Sequence, residues 1–172
     1  MEIYVENLRE AALTLSAGDR VYLSGTVYTA RDAAHLRIFE LLDGEASLPF
    51  ELPGAVIYYA GPTAALPGRV IGSCGPTTAA RMNKFAPRLF DLGLGAVIGK
   101  GEMSPEVIQA IVRNKAAYFC AIGGAGALIA KHITTCEEIA FTELGCEAIR
   151  RLTLEKLPLF VGYDAKGKSI FA

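Results

Sequence analysis

The sequence predicts an α/β domain carrying a mixed, partly parallel sheet in a single layered unit over residues 1–172. Two observations carry this. Short β-branched runs alternate with segments of helical apolar spacing. The 18 glycines and 8 prolines punctuate the chain at short intervals, as the turns of a compact α/β sandwich require. No internal repeat, low-complexity tract or charge block breaks the alternation.

The elements follow in order. Residues 21–27 (VYLSGTV) read as a buried strand. Residues 31–42 (RDAAHLRIFELL) read as a helix, because Ala34, Ile38, Leu41 and Leu42 recur at helical spacing, with Thr29 as its cap. Residues 55–60 (AVIYYA) form a second strand. A short strand at 69–73 then runs into CGPTTAARMN and a helix reaching about Leu92. GAVIG at 95–99 is a strand. Ser104 caps the next helix with Pro105 in its first turn. A strand at 116–122, a glycine-opened helix from GGAGALIAK, and strands at 133–140 and 157–163 complete the series.

Composition narrows the function. Of 172 residues, 17 are Lys or Arg and 18 are Asp or Glu, a net charge of −1. That balance lacks the basic surplus of a general nucleic-acid binder or a polybasic membrane-surface protein. Hydrophobic residues make up 52% and charged residues 20%, which excludes disorder. A mean hydropathy of +0.33 points to a large core or to apolar surface reserved for a partner. The longest weakly polar run, 116–130, falls short of the roughly 20 residues of a spanning helix. The acidic, mixed start MEIYVENLRE does not read as a signal peptide, so a cytoplasmic chain is expected. Cys74, Cys120, Cys136 and Cys146 form no CxxC pair, and reduced thiols are expected.

Four segments place polar groups at strand-to-helix junctions, where open α/β sheets gather their ligand sites. The first holds Thr29, Arg31, Asp32, His35 and Arg37, with Arg31 and His35 on one helix face. Taken alone it also reads as an ordinary salt-bridged helix start. The second, SCGPTTAARMN, aims backbone N–H groups, Thr77 and Arg81 at one place, a ready anion site or else a simple Thr cap with a surface Arg. In the third, Lys100 lies between Gly99 and Gly101, as a ligand contact or a turn lysine. The fourth, AIGGAGAL, lacks both GxGxxG and a ribose-binding acid, so close helix–sheet packing explains its glycines better than a nucleotide does. Arg31, Arg81 and Lys100 together suit a small dicarboxylate.

These segments, in this order, resemble the β subunit of two-subunit class I fumarate hydratases. They equally resemble the β subunit of L-tartrate dehydratase and the C-terminal domain of single-chain class I fumarases, all iron–sulfur hydro-lyases. The residues carrying the match are 24–37 (SGTVYTARDAAHLR), 59–63 (YAGPT), 75–82 (GPTTAARM), 99–103 (GKGEM) and 121–128 (AIGGAGAL). The long TARDAAH and GPTT…RM motifs make it specific.

The resemblance implies a swivelling β/β/α domain and half of an enzyme. A partner α subunit is expected to hold a 4Fe–4S cluster through three cysteines, leaving one iron open as a Lewis acid. No cluster is expected on this chain, whose cysteines match no family ligand position. The implied reaction is reversible hydration of fumarate to malate, with tartrate dehydration or a non-catalytic anion-binding domain as alternatives. The resemblance assigns the substrate carboxylates to Arg31, Arg81 and Lys100. It places Asp32 and His35 in the catalytic or orienting network and Thr77 where the family has a candidate proton-abstracting hydroxyl. The α–β unit is open to further homodimerisation. Ala79, Asn83, Leu36 and Lys168 stand where Ser, Asp, Lys and Asn are common in the family.

Overall fold

The computed structural model describes residues 1–171. Among the described residues, seven strands form one sheet: β1 (Glu2–Tyr4), β2 (Arg20–Thr29), β3 (Val56–Tyr58), β4 (Ala96–Gly99), β5 (Ala117–Cys120), β6 (Ile133–Ala140) and β7 (Ile149–Tyr163). The helices are α1 (Leu8–Ala12), α2 (Asp32–Asp43), α3 (Ala86–Asp91), α4 (Pro105–Asn114) and α5 (Gly126–Ala130). Neighbouring strands run in the order β1-β2-β3-β4-β5-β7-β6, and β2 also pairs with β7. That extra pairing closes β2, β3, β4, β5 and β7 into a barrel. The sheet is mixed as expected, and it closes on itself, a feature that the predicted layered arrangement did not include.

The long strands make closure possible. On one side β2 pairs antiparallel with β7 from Arg20 to Tyr28. Its other side is shared between β1 at Tyr22–Ser24 and β3 at Tyr28–Thr29, both parallel. In the same way β7 divides its second side between β5 and β6. A strand that serves two neighbours in turn has to bend, and bulges supply bends. The register of β2 on β7 slips between Leu23 and Gly25. Gly25 sits at φ +118, and a Cβ there would stand 3.0 Å from the Val5 side chain, so only glycine fits. Opposite it, Lys156 takes φ 49 and donates its N–H to Ser24 Oγ at 2.9 Å.

Strand alternation sorts the apolar residues into two cores. Val21, Leu23, Val27, Val56, Tyr58, Ile98, Phe119, Leu152 and Leu159 share the barrel interior. The intervening residues Ile57, Tyr59, Val97 and Tyr118 face outward, against Ala34 and Ile38 of α2, Leu89 and Phe90 of α3, and Val107 and Ile111 of α4. The strands therefore read as continuous apolar runs because both faces are buried.

Several expectations change. Residues 69–73 form no strand; they run as loop beside Thr63, whose N–H bonds Ser73 O at 3.0 Å. The helix expected to run on to Leu92 is split into a 3-10 turn (Ala79–Met82) and α3. The strand expected at 157–163 begins eight residues earlier, at Ile149. β1 and α1 had no clear sequence signal. Thr29 does not cap α2: it is fully buried, and its hydroxyl bonds Ala148 O and Arg150 N–H. No helix among the described residues is long and apolar enough to cross a membrane.

Two substitutions separate core from surface. Ile98→Ala, inside the barrel, is expected to cost about 2–5 kcal/mol in urea unfolding. Leu36→Ala, on the half-exposed face of α2, is expected to stay within about 0.5 kcal/mol.

Candidate active site

β2, β3, β4 and β5 are mutually parallel, so their carboxyl ends lie together. The segments after those ends are 30–32, 59–63, 100–103 and 121–126, and they lock onto one another. Thr63 bonds Ser73 in both directions, through its N–H to Ser73 O and its Oγ1 from Ser73 N–H. Cys74 N–H donates to Gly126 O at 3.1 Å, and a Cβ on Gly126 would stand 2.3 Å from Ser73 Oγ. The glycine turn of the fourth segment is thus a packing surface for the loop of the second, where the sequence predicted helix–sheet packing.

Thr77 is held from both sides. Its N–H donates to Tyr59 O at 2.6 Å, and its carbonyl accepts from Lys100 N–H at 3.3 Å. Ala79 N–H then donates to Lys100 O at 2.8 Å. This short parallel bridge stitches Thr77–Ala79 beside the end of β4. It also corrects an expectation: the N–H groups of Thr77 and Ala79 are engaged by carbonyls and do not form an anion site. What the segment presents is side chains. Thr77 and Lys100 are half-buried, and Lys100 extends over Gly123, whose missing Cβ leaves it room.

Arg31 and Asp32 open α2. Arg81 Nε donates to Asp32 Oδ1 at 3.2 Å, and Arg81 Nη2 lies 2.7 Å from Oδ2. The pair is exposed, so its strength alone is modest. Arg31 crosses Gly61: a Cβ there would stand 2.9 Å from Arg31 Cδ. Arg31 Nε is buried without a hydrogen bond, and Glu147 Oε1 lies 3.9 Å away, close enough for an ion pair only. Glu147 Oε1 also accepts Ala33 N–H at 3.2 Å, which satisfies the start of α2. Sequence reasoning missed Glu147, because it is 114 residues from Ala33 and no local spacing links them.

Of the six candidate residues, the structure brings five to this end of the barrel as partly or fully exposed side chains: Arg31, Asp32, Thr77, Arg81 and Lys100. The sixth, His35, is fully buried, between Phe85 at 5.1 Å and Tyr59 at 5.5 Å between ring centroids. Its Nδ1 donates to Arg31 O at 2.7 Å. Burial holds its pKa down at about 4, against a weaker upward pull from that hydrogen bond and from Asp32. His35 is therefore neutral at pH 7 and shielded from ligand.

The departures from the family pattern have plain structural roles. Asn83 Oδ1 accepts Ser104 N–H at the start of α4, a task an Asp would share. Ala79 is buried against Gly99. Leu36 and Lys168 are exposed, and the 164–168 turn is built by Asp164, whose Oδ1 accepts Lys166 and Lys168 N–H.

The cysteines do not fit an iron–sulfur cradle. Cys74 is fully buried, and burial pushes its thiol up to about 12. Burial likewise raises Cys120 and Cys136. Among the described residues, no three His, Cys, Asp or Glu side chains are grouped to hold a metal ion. The charged set lies on an open surface. A cleft of ≈ 430 Å³ adjoins it, lined by Thr63, Val70, Cys146 and Arg150, and a larger one of ≈ 570 Å³ lies at the opposite end, near Gly54 and Gly95. Leu66, Val70 and Ile122 from loops, and Leu128 from α5, are all at least half exposed on the segments around the set.

The family model described as fumarase C-terminus matches residues 1–172. The chain belongs to the fumarase C-terminus family. Within it, a protein of Methanocaldococcus jannaschii with the provisional name L(+)-tartrate dehydratase subunit beta is 40% identical over 163 residues, 91% of this chain and 84% of that protein. The L(+)-tartrate dehydratase subunit beta of Escherichia coli is 33% identical, over 92% of this chain and 80% of its own length. Fumarate hydratase 2 of Leishmania major is 37% identical over 98% of this chain, but the match spans only 30% of that enzyme. The chain thus covers most of the subunits and under a third of that fumarate hydratase. The segments that carry the sequence resemblance are the ones that converge at the strand ends.

The buried histidine gives a stability signature. Its folded pKa lies below the ordinary histidine value of 6.5, so the unfolded chain binds more protons between about pH 4 and 6.5. Its contribution is complete above pH 6.5 and is lost as pH falls toward 4. Unfolding free energy is expected to rise with pH in that window, by up to about 1.4 kcal/mol per pH unit. Urea unfolding from pH 4.5 to 7 checks this; the slope flattens in His35→Gln.

Proposed function

We propose that this chain is the β part of a hydro-lyase that adds water reversibly to fumarate, giving malate. On this reading residues 1–172 are one domain, the swivelling β/β/α domain of the family. The observation that carries it is the convergence of Arg31, Arg81 and Lys100, with Thr77, on adjoining ends of parallel strands. Tartrate dehydration is the second reading. Two relatives of which this chain covers 84% and 80% bear that name.

The chain's own groups suit a dicarboxylate. Each arginine already faces a carboxylate, Arg81 at Asp32 and Arg31 at Glu147. A substrate carboxylate has the same charge and the same bidentate fit to a guanidinium. Lys100 makes no ion pair among the described residues and offers a point charge beside Thr77. Removing a proton next to a carboxylate builds negative charge on that carboxylate, and cations fixed there stabilise it. Thr77 is the hydroxyl in place to take the proton, with its backbone pinned on both sides. A free Thr hydroxyl is a weak base, so Thr77 needs a neighbour to activate it. His35, buried and neutral, orients Arg31 rather than moving a proton.

The set is open to solvent and rimmed by Leu66, Val70, Ile122 and Leu128, an arrangement suited to a second chain closing over it. That chain is the α subunit, and the iron–sulfur cluster belongs on it. A larger assembly of α–β units remains compatible with this arrangement. A cytoplasmic two-chain enzyme is the proposed setting.

Anaerobic co-expression with a cluster-bearing partner, followed by fumarate and tartrate assays in parallel, tests the reading. The isolated chain is expected to be folded and inactive, and the complex active on fumarate. Turnover by the pure single chain would overturn the half-enzyme claim. In the complex, Arg81→Ala is expected to lower kcat/KM about 100-fold with the fold intact by circular dichroism. An unchanged rate would remove Arg81 from the site.

A further inference from the structure

Two polar atoms directly beneath the site are fully buried and lack a hydrogen-bond partner: His35 Nε2 and the Tyr59 hydroxyl. Buried polar groups in folded chains are nearly always satisfied, so a pair of orphans in contact calls for an explanation. The two rings meet edge to face, with centroids 5.5 Å apart. Their chemistry is complementary. Because the Arg31 carbonyl can only accept, Nδ1 carries the imidazole proton and Nε2 is a bare acceptor. Burial pushes the Tyr59 phenol far up, so it keeps its proton as a donor. Each group is the partner that the other lacks.

The same two residues grip the two sides of the charged set. His35 donates both its backbone N–H, at 2.9 Å, and its Nδ1–H, at 2.7 Å, to Arg31 O. Tyr59 O accepts Thr77 N–H at 2.6 Å, and Tyr59 N–H donates to Ile98 O at 2.8 Å. The Tyr59 ring also fills the space where a Gly99 Cβ would lie, beside Lys100.

We propose that Tyr59 is a positioning residue: its hydroxyl is linked to His35 Nε2 through one internal water, and the linked pair sets the spacing between Arg31 and Thr77. The link is a property of this chain. Its service to catalysis rests on the reading that Arg31 binds substrate and Thr77 takes the proton.

Tyr59→Phe tests it, because it removes one oxygen and keeps the ring. In the chain alone, the variant removes the hydroxyl that anchors the bridge to Nε2. The unfolding midpoint is expected to fall by about 2–4 °C. The ¹⁵N resonance of His35 Nε2 is expected to move toward that of a free, unprotonated ring nitrogen. A hydroxyl that truly has no partner gives the opposite result: removing it leaves the midpoint unchanged or raised and Nε2 unmoved, and the link is overturned. In the active two-chain enzyme, kcat is expected to fall about tenfold with KM within about twofold. Unchanged kinetics beside a positive result on the chain would show a link that positions nothing, which overturns the catalytic half. If the unmutated complex turns over no dicarboxylate, the functional reading fails, and the chain measurements still decide the link.

Discussion

The antiparallel pairing of β2 with β7 is the constraint on which the rest of the molecule depends. It turns a row of strands into a closed barrel, and closure fixes where every loop emerges. Four parallel strands then end at one rim. Were β2 and β7 unpaired, the open sheet would splay, and Arg31 at the end of β2 would lose its fixed distance from Lys100 at the end of β4. Gly25 and Lys156 matter for the same reason: their unusual backbone angles mark the register slip at which two long strands bend around the barrel.

Closure also explains how a site with few strong interactions stays ordered. The individual ion pairs are exposed and weak. The backbone beneath them is not. Thr77, Lys100, Tyr59 and Arg31 are joined by main-chain bonds or by a buried imidazole, and these rest on the outer core of Tyr59, Phe85 and Met82. Flexible charged ends on a rigid base suit a surface that binds a ligand only once a second chain has covered it.

Much of this was legible in the sequence. Strand runs, the α2 and α4 helices and the charged motifs each leave a local signature of apolar spacing or turn residues. The resemblance of residues 24–37, 75–82 and 99–103 to the fumarase family pointed to Arg31, Asp32, His35, Thr77, Arg81 and Lys100, and the fold brings all but the buried His35 to one end as accessible side chains. What was not legible is non-local. Closure depends on which strand follows the bend in β7, and nothing in ten consecutive residues encodes that. Glu147 reaches α2 across 114 residues. His35 shares a helix face with Arg31, yet whether that face looks to solvent or to core is decided by Phe85 and Tyr59, from other elements. The segment 69–73 carries a β-branched pair but lies as loop against Thr63.

The central claim is that this chain grips a dicarboxylate at a boundary with a second chain. A crystal structure of the two-chain complex with malate bound tests it most directly. The account predicts the substrate carboxylates within hydrogen-bonding reach of Arg31, Arg81 and Lys100, with the Thr77 hydroxyl beside the carbon that gives up its proton. A substrate held wholly by the partner chain, with Arg31 and Arg81 still facing Glu147 and Asp32, would contradict it.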